Sequence, residues 1–259
     1  HPREVLYKET RLRLDLPKEK LPILEVLGIK QLVLIPFDEK LSKLSAERFI
    51  KEILINQLQA KSISVGANFR FGYKRRGDIL SIKNCIRGND IKLKTISILE
   101  DEEGRISSSR VRDLLKKGDL KSACKILKRP YIFTGKVIKN KGIGRSIGFP
   151  TANLEIDGRK FLPGEGVYAA WAKIKSSTRK IPSIMNLGPQ PTINPLSPSA
   201  VEVHLIKEDI NLYDFDLSVE PVKKIRSQIK FENTSQLSDQ ISKDKNIALK
   251  ILSSKKNKF

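Results

Sequence analysis

The chain has 259 residues, 39% hydrophobic and 31% charged, a balance that excludes a disordered or collagen-like chain and leaves room for two domains of ordinary size. Its formal charge of +21 invites a nucleic-acid reading, because clustered Lys and Arg release counterions from phosphates. The basic residues are spread along the whole sequence with no arginine-rich block or aromatic stacking motif, so a solvated surface explains them, and nucleic acid stays a rival and not the expectation.

The opening HPREVLYKET lacks the apolar core of a secretory signal and starts with His1 where an initiator Met is expected, so the reading is that a beginning is missing. Apolar runs such as 31–37 and 53–55 fall far short of the roughly 20 residues that span a bilayer. No membrane partner is expected, and with no export signal a cytoplasmic setting is. Cys85 and Cys124 are the only cysteines. Neither has a second thiol or a close His at metal-ligand spacing, which excludes a structural zinc site and leaves ordinary buried thiols.

QLVLIPF at 31–37 reads as a strand, and SISVG, ending at Gly66, as a second one. Between them Ser45 suits the N-cap of a helix whose Phe49, Ile50, Ile53, Leu54 and Leu58 share a face. The spacing predicts a βαβ unit with parallel strands and ligands near their carboxyl ends, where FDEKL and GANFRFG lie. A further apolar run, IKLKTISIL, covers 91–99. ISSSRVRDLLKKGDL then opens a helix capped by Ser107 or Ser108, with Val111, Leu114 and Leu115 inward and Gly118 at its C-terminal left-handed position. Asp119 caps the next helix, which carries Leu120, Ala123, Cys124 and Leu127 inward until Pro130 stops it. A domain boundary follows there, giving 1–129 and 130–259.

Beyond it, short runs separated by Gly, Pro and Asn (YIFTGKVI, GVYAAWAKI, IPSIMNLG, AVEVHLI and DLSVEPV) suggest a small antiparallel barrel. A helix from about Ser235 closes the chain, with Leu237, Ile241, Ala248, Ile251 and Leu252 as its apolar stripe, and SSKKNKF is expected to fray. The fold class is therefore α/β plus β.

The chemistry concentrates in GKVIKNKGIGRSIGFPTANL, residues 135–154. Gly142, Gly144 and Gly148 let backbone amides turn toward a phosphate. Just after them, Thr151 and Asn153 put a hydroxyl and an amide oxygen two residues apart, on one side if extended, and both are hard ligands suited to Mg²⁺. From spacing alone, a Gly-rich turn with a polar strand start fits as well.

GIGRSIGFPTAN closely resembles the signature of riboflavin kinases, including the kinase half of the bacterial bifunctional riboflavin kinase and FAD synthetase. PGEGVYAAWAKI, MNLGPQPT, VEVHL and LYDFDLSVEPVKKIRSQIKF resemble that family's later segments in the same order. The resemblance implies transfer of the ATP γ-phosphate to riboflavin to give FMN, on a riboflavin kinase barrel with a C-terminal helix. It implies that Thr151 and Asn153 hold Mg²⁺ with ATP, that Gly142, Gly144 and Arg145 lie over the phosphates, and that Glu202 is the general base. Without it, Glu202 between Val201 and Val203 reads as an outward-facing surface acid. His204 is read as a packing residue. Gln190 and Gln228 depart from the family's usual basic residue and glutamate, and both positions are expected to tune flavin or loop contacts.

The first half resembles the FMN adenylyltransferase domain of the same enzymes, a Rossmann-like nucleotidyltransferase. VGANFRFGYKRRGD is similar to the flavin-contacting segment, which implies that Asn68, Phe69, Arg70 and Phe71 bind flavin. ISSSRVR resembles the motif whose helix N-terminus meets ATP, here through Ser108 and Arg112. The family's GxFDGxHxGH segment has no counterpart, since the only histidines are His1 and His204. His1 and Pro2 resemble the end of a PHP segment that follows that signature. The expectation is a partial domain, with kinase activity retained and adenylyltransferase activity lost or severely impaired.

Overall fold

A computed structural model of the chain describes residues 2–8, 12–139, 148–175, 177–188, 199–206, 208, 210 and 212–254. It resolves into two compact units, one of residues 1–11 with 30–106 and the other of 12–29 with 107–259.

In the first unit, β1 (Ser62–Gly66) pairs in parallel with β2 (Lys92–Ile96). α5 (Ile79–Ile86) crosses between them, with Asp78 and Ser81 forming its capping box. The βαβ unit is therefore 62–96 and not 31–66. The run 31–37 forms no strand and leaves Leu32, Val33, Leu34 and Ile35 exposed. β-propensity makes a strand only where a neighbouring edge satisfies its backbone. No described residue pairs with 31–37, and Pro36 removes one donor of the run.

The helix expected from Ser45 is present, with Ser45 Oγ accepting from the Arg48 amide. After α4 (Ala46–Arg48) it widens to π-type winding over Phe49–Gln57, as in the bond from Leu58 N–H to Ile53 O, five residues back. The wider turn moves Ile55 into the place expected for Leu58. Ile50 is buried, with Leu54 and Ile55 packed beside it, against Ile63, Phe71, Ile82 and Ile86, while Leu58 is exposed.

The second unit is a closed barrel of six antiparallel strands. They are β5 (Phe133–Ile138), β6 (Ala152–Ile156), β7 (Gly166–Ile174), β8 (Ile181–Leu187), β9 (Ser199–Leu205) and β10 (Asp216–Arg226). Around the barrel the order is β10, β5, β6, β9, β8, β7. Period-two alternation fills the interior with Phe133, Val137, Ala152, Leu154, Ile156, Tyr168, Met185, Leu187, Val201, Val203, Leu217 and Val219. Outside, the C-terminal helix Thr234–Ser253 lays Ala248 and Leu252 over Val167, Ala169, Ile184 and Val222. Asp244, buried on that same helix, meets the Arg226 guanidinium at 2.9 Å.

α6 (Ser108–Lys117) and α7 (Leu120–Leu127) pack on this barrel through Val111, Leu115, Leu120 and Ala123. Ser107 caps α6, and Gly118 (φ 80°) ends it in the left-handed region. At Gly164 the backbone passes so close to α6 that a Cβ would lie 2.1 Å from the Lys116 carbonyl oxygen, so only glycine fits without moving that helix.

Residues 12–29 also belong to the barrel unit, and the way they are held could not be read from the sequence. Arg13 N–H donates to Arg159 O at 2.7 Å and Phe161 N–H to Arg13 O at 2.8 Å, while Leu14 enters the core. The fully buried Lys160 ammonium donates to Leu14 O at 2.6 Å, Glu19 Oε2 at 2.7 Å and Ile132 O at 3.2 Å, over the face of the Tyr131 ring. Alongside it, Arg129 Nη2 lies 2.7 Å from both carboxylate oxygens of Asp15.

Candidate active site on the outer wall of the barrel

In β6 the inward residues are Ala152, Leu154 and Ile156, and in β9 they include Val201 and Val203. Alternation sends Asn153 and Glu202 to the opposite, outer face, where both are half-buried. The antiparallel register sets Asn153 directly opposite Glu202, which brings their Cβ atoms to about 5 Å. The pairing of β8 with β9 sets Asn186 opposite Glu202 from the other side. Three polar side chains thus form one row across β6, β9 and β8, on the outside of a closed barrel and not within it. Thr151 lies two residues before Asn153, at the entrance to β6.

That entrance is fastened by His204. Its Nδ1 lies 2.9 Å from the Pro150 carbonyl, which can only accept, so Nδ1 carries the proton. The Phe149 ring meets the imidazole edge-on at 5.5 Å. Burial is the main cause that holds the His204 pKa below its ordinary 6.5, the Pro150 bond opposes it, and the Lys245 charge adds to the lowering. His204 is therefore a packing residue, and it also ties the segment before Thr151 to β9.

The sign of its pH effect follows. The unfolded chain takes up a proton at 6.5 while the folded chain still resists, so stability is full above that pH and falls as the pH drops below it toward the folded value. In denaturant titrations at pH 7.5 and 5.5, wild type is expected to lose more stability on acidification than His204→Asn, which keeps a donor for Pro150 but does not titrate. Equal losses would contradict this account.

Gly148 has φ 83°, and no heavy atom of a described residue lies within 4 Å of where its Cβ would be. Gly142, Gly144, Arg145 and Gln190 lie outside the described residues, as does the tail after 254. The sequence did not single out Asn186 as a site residue. Its outward direction follows from alternation in IPSIMNLG, but its place beside Glu202 depends on the pairing of β8 with β9. Gln228, noted only as a departure from the family pattern, also belongs here, because its Nε2 donates to Asn186 Oδ1 at 2.8 Å and to Leu187 O at 2.9 Å.

In the first unit, Asn68, Phe69 and Arg70 are exposed beyond the carboxyl end of β1, where the expected βαβ geometry puts ligands. Phe71 is buried in that unit's core against Phe49, and the Phe69 ring stacks on it at 5.2 Å. Arg70 Nη1 meets Asp78 Oδ2 at 3.0 Å. In the barrel unit, Ser108 stands in the first turn of α6, after the Ser107 cap. Arg112 donates to Leu12 O at 3.2 Å and lies over the Phe161 ring.

A family model for riboflavin kinase matches residues 127–252, and one for FAD synthetase matches residues 1–110. Bifunctional riboflavin kinase/FMN adenylyltransferases are similar over most of the chain. The one from Buchnera aphidicola subsp. Schizaphis graminum is 37% identical across 94% of this chain and 78% of its own length. The Haemophilus influenzae protein is 34% identical with the same coverage, and the Escherichia coli K12 protein is 32% identical across 90% of this chain and 73% of its own.

A solved structure from Streptococcus pneumoniae, described as a macrolide-efflux protein, superimposes with a TM-score of 0.83 at 28% identity, covering 96% of this chain and 80% of that one. That description belongs to that protein and disagrees with the sequence relatives. Here, no helix among the described residues is long and apolar enough to cross a membrane. With one model matched in each half and a relative 37% identical of which it spans 78%, the chain belongs to the bifunctional riboflavin kinase/FMN adenylyltransferase family.

Proposed function

We propose that the chain phosphorylates riboflavin and that its N-terminal region serves the adenylylation of FMN to FAD, with residues 130–259 as the kinase domain and 1–129 as the adenylyltransferase part. The observation that carries the kinase reading is the register of Asn153 against Glu202, beside Thr151, on one wall of the barrel. In the reaction, the riboflavin 5′-hydroxyl oxygen bonds to the γ-phosphorus of ATP and the bond from that phosphorus to the β,γ-bridging oxygen breaks. The hydroxyl proton passes to the Glu202 carboxylate, and ADP leaves. Phosphoryl transfer depends mainly on positioning and charge neutralisation, so one carboxylate beside a nucleotide cradle suffices.

Among the described residues no group of three His, Cys, Asp or Glu could hold a metal by itself. The donors at this wall are the Thr151 hydroxyl and the Asn153 amide oxygen, a set that fits Mg²⁺ shared with ATP phosphates, since this ion keeps few protein ligands. When bound, the ion would neutralise charge on the phosphates. Gly142, Gly144, Arg145 and Gly148 would line the phosphate side with backbone amides and one guanidinium. For adenylylation, the exposed Phe69, with Asn68 and Arg70, offers a stacking face and polar edges to a flavin, and Phe71 supports Phe69 from beneath. The family resemblance gives ATP phosphates to Ser108 and Arg112, which stand on α6 of the barrel unit. A cytoplasmic setting agrees with Cys85 and Cys124 forming no disulfide.

Incubating the chain with riboflavin, ATP and Mg²⁺ and following products by chromatography tests the kinase reading. FMN, together with any FAD made from it, is expected to match ADP in amount, and a folded chain that makes none of the three overturns it.

A further inference from the structure

The two oxygen donors assigned to Mg²⁺ and ATP are held in different ways. Asn153 stands within the sheet, paired with Glu202 on one side and with Ile138 on the other. Thr151 stands before β6, whose last registered pair with β9 is Ala152 with Val203. Counting one residue further along each strand sets Thr151 opposite His204. Pro150 has no N–H with which to carry the ladder on. The His204 side chain takes over there, its Nδ1 donating to the Pro150 carbonyl at 2.9 Å.

That bond reaches the Thr151 side chain through covalent geometry. The peptide group is planar, so the Pro150 carbonyl lies in one plane with the nitrogen and Cα of Thr151, and holding its oxygen orients that plane. Threonine is branched at Cβ and stiff at χ1, so few hydroxyl positions remain once its backbone is set. His204 can serve as an anchor because it is itself held. It shares the outer face of β9 with Glu202, yet it is buried. The Phe149 ring meets it edge-on, and its strand partner Ile184 packs with Ala248 and Leu252 of the C-terminal helix.

We propose that His204 is a positioning residue for phosphoryl transfer, fixing the Pro150–Thr151 peptide so that the Thr151 hydroxyl is set beside Asn153 before the nucleotide and its metal arrive. Mg²⁺ demands near-ideal octahedral geometry. A misplaced hydroxyl therefore weakens what the metal adds to nucleotide binding, and leaves metal-free binding nearly unaffected. The proposal rests on the reading of Thr151 and Asn153 as metal ligands.

Asparagine and leucine are alike in shape, but asparagine places an NH₂ group near the Nδ1 position and leucine has no donor. Titration calorimetry of the full chain with ADP, once in Mg²⁺ and once in EDTA, gives the factor by which the metal tightens binding. His204→Leu is expected to lower that factor about tenfold, the scale of one lost hydrogen bond, with the affinity in EDTA within about threefold of wild type. His204→Asn should keep both quantities within about threefold. On Thr151→Val, the His204→Leu change should lower the factor no further, because the group it positions is gone.

An unchanged factor in His204→Leu, whether or not overall affinity falls, or an equal loss in the two variants, would overturn the positioning role. A Thr151→Val chain with the wild-type factor would instead remove the reading of Thr151 as a ligand, and the proposal with it. Leucine suits the apolar neighbours Phe149 and Ile184, so the barrel should fold. If thermal melting shows otherwise, His204→Ala, which removes the donor without adding bulk, must show the same loss.

Discussion

Glu202→Gln is expected to lower kcat for riboflavin phosphorylation by about 10²- to 10⁴-fold, the range that a general base contributes, while leaving the melting temperature of the barrel unchanged. The substitution keeps the shape and removes the property that the proposed mechanism uses, the capacity to take the 5′-hydroxyl proton. Glu202 points out from β9 between the buried Val201 and Val203, so no interior packing is disturbed. Residual activity should persist, because the substitution leaves Thr151 and Asn153, the nucleotide ligands of the proposed mechanism, in place. Initial rates of FMN formation at saturating ATP measure the effect, and turnover within a few-fold of wild type would remove Glu202 from the mechanism.

Lys160→Met is expected to destabilise the barrel unit by about 3–5 kcal/mol, the usual consequence of removing one partner from a buried ion pair. Methionine fills the same volume but leaves the Glu19 carboxylate without its cation and takes the ammonium donor from the Leu14 and Ile132 carbonyls. Burial pushes the Lys160 pKa down and Glu19 pulls it back up, so the pair survives only as a unit. Urea denaturation of the barrel unit measures the loss. The double variant Glu19→Leu, Lys160→Met should recover part of it, because an apolar pair of similar volume avoids the desolvation of both charges, while the Leu14 and Ile132 carbonyls still lack the ammonium and the Leu16 amide loses the Glu19 carboxylate. A single variant as stable as wild type would show that the ammonium contributes nothing where it stands.

The barrel was legible because each strand carries its own alternation and its own turn residues. GVYAAWAKI, IPSIMNLG and AVEVHLI became β7, β8 and β9 close to their expected limits, and the caps at Ser107, Gly118 and Asp119 were fixed by local chemistry alone. What failed was what depends on partners. QLVLIPF has the composition of a strand and no neighbour among the described residues. The π-winding after Arg48 changed which of its apolar residues reach the core.

The candidate site was half legible for the same reason. Glu202 and Asn153 could be assigned to outward faces from periodicity, and the family motifs named them. That they stand opposite one another, with Asn186 completing the row, is a matter of register between strands distant in sequence. The ties from Gln228 to Asn186 and from His204 to Pro150 are likewise long-range, and no local pattern announces them.

The threading of residues 12–29 through the barrel unit also bears on how its gene can be cut. The riboflavin kinase match begins at residue 127, and a truncated version started there would omit Leu14, Asp15 and Glu19. Lys160 would keep only the Ile132 carbonyl of its three oxygen partners, and Arg129 would lose both carboxylate contacts. Keeping every oxygen partner of Lys160 and Arg129 therefore takes two pieces of coding sequence, for residues 12–29 and 107–259, joined by a spacer in place of residues 30–106.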